Sequence, residues 1–362
     1  MEMDVEALKK MDHKTKIRIG LIMGIFCALY WGVWYVPGYA VWNMNILTAL
    51  NTNISDAGFG VDTTTVSVAI FLTGMNAIFC AIVLFIWNGA LGKLPEFKRE
   101  TIQFKGASKY FLMAGLCGAC AVSGTYLASS YLSPGFAAIA GLLYPIIGTT
   151  LSVLVLKQKV SKRAYLGITV ILIGGITLYA GTLAVKGADG SIIGFIGGIM
   201  AAVGWGCEGA VAGKALDTCE PDVGLHLRFC FEALFWIVVF IVLYAAGIPI
   251  FSTIGDILDP ATLFVFILLG LSFAWCYVSW YKSFPFLGVP RGQAIGSLYA
   301  ACAIIFLTIF AGPANGLGYA GFEDQMWTIV ASTIAGLLIC LVGSYLLGSE
   351  DTEGLVSLRE ES

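Results

Sequence analysis

The amino-acid sequence predicts an all-α integral membrane protein with ten transmembrane helices in two inverted five-helix repeats. Three observations lead to this fold class: a composition suited to lipid, ten long apolar segments, and lysine and arginine confined to one side. Of the 362 residues, 58% are hydrophobic and only 12% are charged, whereas soluble domains carry about 25% charged residues. A surface so poor in charge requires lipid as its solvent.

Ten apolar segments of about 20 residues or more are separated by charged or turn-forming residues, so each can cross a bilayer. They cover residues 18–42, 65–90, 110–131, 135–156, 164–185, 191–214, 224–247, 261–281, 288–311 and 326–348. The chain is accordingly divided into a cytoplasmic N-terminal segment, two five-helix repeats and an acidic cytoplasmic tail, which we expect to be disordered. These parts are residues 1–17, 18–185, 186–348 and 349–362.

Lysine and arginine lie almost entirely on one side of the predicted membrane. Of the 20 such residues, all except Lys186 fall in segments on the side of the N-terminus. The loops near 43–64, 248–260 and 312–325 contain none. Because basic residues accumulate in cytoplasmic loops, we expect a multi-pass protein of the plasma (inner) membrane with both termini in the cytoplasm. We expect 43–64 to be an ordinary loop rather than a lid.

An internal repeat supports the division into halves. The pattern Gly-Ile-x-x-Ala-x-x-Trp-Gly occurs at residues 24–32 and again at 198–206. Tyr126 and Tyr144 recur at one constant offset as Tyr281 and Tyr299. Since each half contains five helices, an odd number, the second half enters the membrane upside down. Inverted repeats are a basis of alternating access, with the solute site between the halves near mid-membrane.

Three features are shared with a known group of membrane transporters. They are the Ala-x-x-Trp-Gly element in the first helix of each half, the stretch from Tyr131 to Ile139, and Leu216-Asp217 followed by Pro221 and Arg228. With these features, residues 18–348 resemble the drug/metabolite transporter superfamily with its paired EamA-like domains. The resemblance implies a secondary transporter with a central cavity between inverted repeats. It leaves the substrate open among amines, amino acids, sugars and nucleotide sugars.

Two glutamates lie inside apolar runs, away from their ends, and intramembrane acids are functional candidates because burying them is costly. Glu232 follows Arg228 by four residues, so we expect these two side chains to form a structural ion pair on one helix face. Glu208 has no such partner in its own helix. We therefore predict that Glu208 lines the cavity and attracts a cation or carries a coupling proton. The alternative is a Glu208 hydrogen-bonded between helices.

Aromatic residues deep in the apolar segments complete the predicted substrate site. Those predicted to bind the solute beside Glu208 are Trp31, Trp34, Trp205, Tyr144 and Tyr299. Rings that face one acid can form a cage for an organic cation, and the same rings can stack on a sugar. Trp42, Trp280 and Tyr281 lie at helix ends, where we expect them to anchor helices at the membrane interface.

The predicted function is secondary active transport of a small organic metabolite, with a cationic or zwitterionic amine favoured and a sugar or other neutral solute as the alternative. A membrane enzyme or a structural subunit of a membrane complex is the alternative of another class. No phosphate-binding loop, nucleophile elbow or metal-ligand spacing occurs in the polar loops, so we predict no cofactor and no metal. The predicted partners are the solute, a coupling proton or ion, and the bilayer. A net charge of −3 gives no indication of nucleic acid.

Overall fold

The computed structural model describes residues 5–102, 106–157, 162–186 and 192–348. Within these ranges the chain forms fifteen α-helices, three short 3₁₀ turns and no strand. The α-helices are α1 (Val5–Trp42), α2 (Asn45–Asp56), α3 (Val61–Ala90), α4 (Leu94–Ile102), α5 (Ser108–Tyr131), α6 (Pro134–Ala140), α7 (Tyr144–Leu154), α8 (Lys162–Lys186), α9 (Ile192–Ala215), α10 (Pro221–Ala245), α11 (Pro260–Leu287), α12 (Val289–Gly296), α13 (Tyr299–Ala311), α14 (Pro313–Leu317) and α15 (Met326–Gly348).

Nine of the predicted membrane segments correspond to helices that are long and apolar enough to span a bilayer, counting only the described residues. They are α1, α3, α5, α6 with α7, α9, α10, α11, α12 with α13, and α15. The remaining segment, 164–185, lies within α8, whose described apolar stretch Tyr165–Thr177 is shorter than a full span. The chain is therefore a multi-pass membrane protein.

The outward faces of the spanning helices are apolar. Large hydrophobic side chains such as Ile86, Leu234, Phe310 and Trp327 are more than half exposed. In water such a surface would drive association, whereas lipid tails solvate it without penalty. The exposed side chains therefore indicate which helix faces contact lipid.

Two regions differ from the sequence prediction. The predicted polar segment 1–17 is helical from Val5 onward, so that α1 is one helix of 38 residues. Good helix formers, including Glu6 to Lys10, explain this extension. The expectation of an ordinary loop over 43–64 was wrong, because α2 forms there. The buried side chains of α2 share one helix face; they are Ile46, Leu47, Leu50 and Ile54. The acidic tail, 349–362, lies outside the described residues.

The spanning helices pack in a defined set of pairs. The most extensive contacts join α5 to α9, α8 to α15, and α1 to α11. Further contacts join α3 to α10, α1 to α13, and α7 to α9. Contacts also join α5 to α10, α3 to α11, α3 to α5, and α10 to α11. Both halves of the chain are therefore interleaved across one common core.

Close packing of α5 against α9 depends on glycine. A Cβ atom placed on Gly204 would lie 2.6 Å from the backbone N of Ala121 and 2.6 Å from the carbonyl O of Cys117. A Cβ atom on Gly197 would lie 2.6 Å from the carbonyl O of Gly124. These atoms are backbone and cannot turn away, so the two helices approach closely only because both sites lack a side chain.

Replacing Gly204 with alanine should lower stability, although alanine is the better helix former by about 1 kcal/mol. Overpacking against a rigid backbone typically costs about 1–3 kcal/mol, so we expect a net fall in the melting temperature of the detergent-solubilised protein. Gly255→Ala is the matched control, since a Cβ atom there meets nothing within 4 Å. Equal melting temperatures for the two variants would contradict this account of the α5–α9 contact.

Candidate functional site

A cavity of about 230 Å³ lies where α1 and α5 end. We call this end of the bundle the cavity side, and the opposite end, where α3 ends and α10 begins, the basic side. The lining consists of aromatic, hydroxyl, amide and small apolar groups, without a charged side chain among the lining residues. These residues are Trp34, Tyr35, Gly38, Tyr39, Trp42, Asn43, Thr125, Tyr126, Ser129, Leu132, Ser133, Pro134, Asn315 and Ala320.

The floor of the cavity is formed by three buried aromatic residues, Trp34, Tyr35 and Tyr126. The indole N–H of Trp34 donates to Asn76 Oδ1 at 3.0 Å. The Trp34 ring also stacks on Phe273, with ring centroids 4.4 Å apart. These contacts hold the floor against α3 and α11, so the cavity stops at this depth.

A layer of packed rings lies beneath the floor, which we call the aromatic block. It consists of Trp31, Tyr144, Trp205, Tyr277, Trp280 and Tyr299, all fully buried. The Trp31 ring stacks on Tyr299 with centroids 4.4 Å apart and meets the edge of Trp205 at 4.6 Å. Offset and edge-to-face pairs at such distances are favourable. The block therefore separates the cavity from the basic side.

The structure brings four of the predicted site rings into the aromatic block and places one elsewhere. Trp31, Trp205, Tyr144 and Tyr299 contact one another in the block, while Trp34 lies one helical turn away and lines the cavity. None of the four lines the cavity in this conformation.

The expected interfacial role of Trp280 and Tyr281 was wrong. Both side chains are fully buried, because α11 continues to Leu287 and their positions are internal to the helix. Trp280 belongs to the aromatic block, and Tyr281 contacts the charged residues beside it.

Glu208 is part of a buried charged cluster that joins α9, α10 and α11. Its carboxylate accepts hydrogen bonds from Arg228 Nε at 2.7 Å and from Arg228 Nη2 at 3.2 Å. It also accepts from the hydroxyls of Tyr277, at 2.9 Å, and Tyr281, at 3.0 Å. Glu208 is thus held by partners from neighbouring helices and is not among the residues that line the cavity in this conformation. The alternative of an interhelical hydrogen-bonded Glu208 matches what is observed.

Arg228 lies between two carboxylates. Its Nη1 donates to Glu232 Oε2, which confirms the ion pair expected from their spacing, while its other nitrogens bind Glu208. All three side chains are essentially inaccessible to solvent. We call Glu208, Arg228 and Glu232 the carboxylate–arginine cluster. Gly118 on α5 makes room for it, since a Cβ atom there would lie 2.6 Å from Arg228 Cζ.

Tyr277 connects the carboxylate–arginine cluster to the aromatic block. Its hydroxyl accepts a hydrogen bond from the indole N–H of Trp205 at 3.0 Å and donates one to Glu208. The Arg228 guanidinium lies over the Tyr277 ring, 4.7 Å from its centroid. The rings and the charges are therefore joined through one hydrogen-bonded residue.

Residues 58–180 match the profile of the EamA-like transporter family. This stretch carries an EamA-like transporter domain. The resemblance to the drug/metabolite transporter superfamily predicted from the motifs is thereby confirmed. No functionally curated protein matches the sequence. A solved structure described as "Crystal structure of protein" has a TM-score of 0.49 and 15% sequence identity, covering 91% of this chain and 99% of that chain. The EamA-like match and the apolar helices together indicate a transmembrane transporter of small metabolites.

The basic side of the bundle is closed by a charged network. Asp222, at the start of α10, accepts from Lys93 Nζ at 2.5 Å and pairs with Lys282 Nζ at 2.9 Å. The indole N–H of Trp87 donates to the same carboxylate at 3.2 Å. Lys93 also binds Glu220 at 2.7 Å. One buried aspartate therefore holds the ends of α3, α10 and α11 together.

The pKa of Lys93 reflects this network. Burial lowers the pKa of its ammonium group, but hydrogen bonds to Asp222 and Glu220 outweigh burial, so the pKa lies above the usual lysine value. A raised folded-state pKa gives stability that is fully present below the unfolded-state value, about 10.4, and is lost as pH rises through the folded-state value. The contribution of Lys93 is therefore constant across neutral pH.

Several residues of the site were not identified from the sequence. Tyr277 and Tyr126 carried a partial signal, because both lie in aromatic or repeated positions of the apolar segments. Asn315 carried none. It lies in the glycine-rich connection after α13, where the short helix α14 returns to α1 and Asn315 Nδ2 donates to the Tyr39 hydroxyl at 3.1 Å. Contacts between such distant parts of the chain depend on the packed fold.

Arg228→Gln should be strongly destabilising, because Glu208 and Glu232 would then face each other without a cation. Removing one partner from a buried ion pair typically costs about 3–5 kcal/mol. We expect a large fall in melting temperature or a loss of folded protein on size-exclusion chromatography. Arg99→Gln is the matched control, since Arg99 is 60% exposed and pairs with Glu96 and Glu100 at the surface. A wild-type melting temperature for Arg228→Gln would contradict the assigned ion pairs.

Asp222→Asn should loosen the basic side, because two lysine ammonium groups would lose the carboxylate between them. We expect a loss of about 2 kcal/mol, less than for a fully buried pair because both lysines are partly exposed. Asp217→Asn is the control, since its pair with Lys214 lies at the surface and surface pairs contribute little.

A second measurement on the same variants is the labelling of Cys219 by a water-soluble maleimide, followed by peptide mass spectrometry. Burial raises the pKa of the Cys219 thiol to about 12, so the native thiol should react slowly because the thiolate is the nucleophile. Asp222→Asn should accelerate the labelling, and Asp217→Asn should not. Unchanged labelling and stability in Asp222→Asn would show that the network does not hold this side closed.

Proposed function

We propose that the protein is a secondary active transporter that carries a small organic metabolite across the membrane by alternating access. The observation that carries this proposal is a cavity on one side of the bundle with a closed path beneath it. A solute in the cavity meets first the floor around Trp34, then the aromatic block, then the Asp222 network. Access from one side at a time is what alternating access requires.

The packing pairs of the helices support an inverted repeat of ten helices. The repeat would exchange α1 with α9, α3 with α10, α5 with α11, α7 with α13, and α8 with α15. Under this exchange the contact of α5 with α9 becomes that of α11 with α1, and both are present. The contact of α1 with α13 becomes that of α9 with α7, and the contact of α5 with α10 becomes that of α11 with α3. The pairs α3–α10 and α8–α15 map onto themselves.

We further propose that the basic side faces the cytoplasm, so that the cavity faces outward across a plasma (inner) membrane. The one-sided distribution of lysine and arginine supports this orientation. The exchange of solute between the two sides would then require the Asp222 network to open while the cavity closes. In that transition Trp31, Trp205, Tyr144, Tyr299 and Glu208 would become accessible to the solute, which is the role we propose for them.

For the substrate, we propose an organic cation or zwitterion such as an amine or a quaternary ammonium compound. Five aromatic rings line the cavity: Trp34, Tyr35, Tyr39, Trp42 and Tyr126. The faces of tryptophan and tyrosine attract cations, and each contact is worth about 0.5–2 kcal/mol, more where water is excluded. Transport of such a solute needs no covalent chemistry, so we propose that the protein is not an enzyme.

A neutral sugar or polyol is the second candidate, and a specific observation favours it. The cavity lining contains two amides, Asn43 and Asn315, with the hydroxyls of Ser129 and Ser133, but no carboxylate. A permanent cation would therefore lack a counter-charge within the cavity, whereas a polyol could form hydrogen bonds with the amides and stack on the rings. A cation would therefore depend on the aromatic rings of the lining, whereas a polyol would also depend on its amides and hydroxyls.

The test is a thermal-shift screen of the purified protein against choline, putrescine, an amino acid, glucose, a polyol and a nucleotide sugar, followed by uptake of the stabilising compound into proteoliposomes. A ligand that binds only the folded state raises the melting temperature. We expect Trp34→Leu to abolish stabilisation and uptake of a cation, and Asn315→Ala to have the greater effect on a sugar. Trp327→Leu is the control, since Trp327 is 76% exposed on the outside of the bundle.

Binding without uptake by the wild-type protein would contradict transport. Stabilisation that persists in both cavity variants would show that the solute binds elsewhere.

A further inference from the structure

The carboxylate–arginine cluster has an unequal number of charges. Glu208 and Glu232 face one guanidinium, and all three side chains are buried. With both carboxyl groups ionised, the cluster would hold one uncompensated negative charge away from water. An unpaired buried ion is far more costly than a neutral carboxylic acid. The arrangement therefore favours one bound proton in the cluster.

The hydrogen bonds show which carboxyl group holds that proton. Glu208 accepts four hydrogen bonds, two from Arg228 and one each from two tyrosine hydroxyls. Glu232 accepts one from Arg228 through Oε2, and its Oε1 faces only the indole of Trp236, one turn further along α10, outside close hydrogen-bond geometry. Donors directed at a carboxylate stabilise its ionised form. Glu208 is therefore the ionised member and Glu232 the neutral one.

Resting on the proposed transport function, we propose that Glu232 is the proton-binding site that couples transport to a proton gradient. Opening of the basic side would hydrate the cluster and remove the cost of ionising Glu232, which would release its proton there. When the basic side closes again, Glu232 would bind the next proton from the cavity side. Glu232 thus alternates between a dry and a hydrated environment as the cavity changes sides.

The groups that face Glu232 are consistent with a proton rather than a metal ion. They are Arg228 and Trp236 on its own helix, Glu208 on α9, Tyr277 on α11 and Cys80 on α3. On α5, Gly115 packs against this turn of α10, where a Cβ atom would lie 3.4 Å from the backbone N of Glu232. Arg228 occupies the position between the carboxylates that a cation would need. Among the described residues, no group of three or more acidic, histidine or cysteine side chains could hold a metal ion.

The first test needs no substrate. Infrared spectroscopy of the purified wild-type protein at neutral pH should show the C=O stretching band of a buried, protonated carboxylic acid. Glu232→Gln, which copies the neutral acid, should remove this band and keep a melting temperature within a few degrees of wild type. Glu208→Gln should lower the melting temperature clearly, because it replaces an ionised group with four hydrogen bonds. Glu96→Gln, outside the spanning helices, is the control for both measurements.

The absence of the band from the wild-type protein would overturn the proposal even if no variant could be purified. So would a stable Glu208→Gln protein together with an unstable Glu232→Gln protein, since the proton would then reside on Glu208.

The second test uses proteoliposomes and the compound identified by thermal shift. An imposed proton gradient should accelerate uptake by the wild-type protein and by Glu96→Gln, and Glu232→Gln should lose at least tenfold of this acceleration. Full acceleration in Glu232→Gln would overturn the coupling role. If no compound is transported, the transport proposal fails, whereas the infrared result still decides whether Glu232 holds a proton.

Discussion

Burial of Arg228 is the constraint on which the centre of this protein depends. A guanidinium without water needs a carboxylate beside it, and the two carboxyl groups that contact it come from different helices, α9 and α10. The geometry of these contacts fixes how the two helices approach each other. On α5 only a glycine, Gly118, fits beside Arg228. The tyrosines that complete the hydrogen bonds attach α11 to the same point. The same contacts therefore neutralise the buried charge of Arg228 and determine how the helices pack.

A polar cluster beneath an aromatic layer suits a protein that must alternate between two arrangements. Stacked rings are held by many weak contacts without fixed partners, so they can repack at modest cost. Hydrogen bonds to a buried ion are directional and are lost or kept as a set. The rings of the aromatic block can therefore change their packing while the hydrogen bonds of the carboxylate–arginine cluster remain in place. Tyr277 takes part in both kinds of contact, because it bonds to Trp205 in the block and to Glu208 in the cluster.

Local sequence patterns predicted the local features of this structure. Hydropathy located the spanning segments because each is a continuous run, and the spacing of Arg228 and Glu232 predicted their pair because both lie on one helix. The partners of Glu208 were not predicted, because they lie on other helices and far away in sequence. Helix α2 was missed because four apolar residues in a short polar stretch are a weak signal. Asn315 reaches the cavity only through the return of α14, a contact that depends on the whole fold.

The length of α1 has a mechanical consequence. It is one helix of 38 residues from Val5 to Trp42, or roughly 57 Å at the usual rise per residue. Trp42 borders the cavity at one end, and the other end projects from the basic side. Pro37 interrupts the hydrogen bonds of this helix near the cavity end, so that a small bend there would become a larger displacement at the far tip. A spectroscopic probe placed there would report the state of the cavity without touching it.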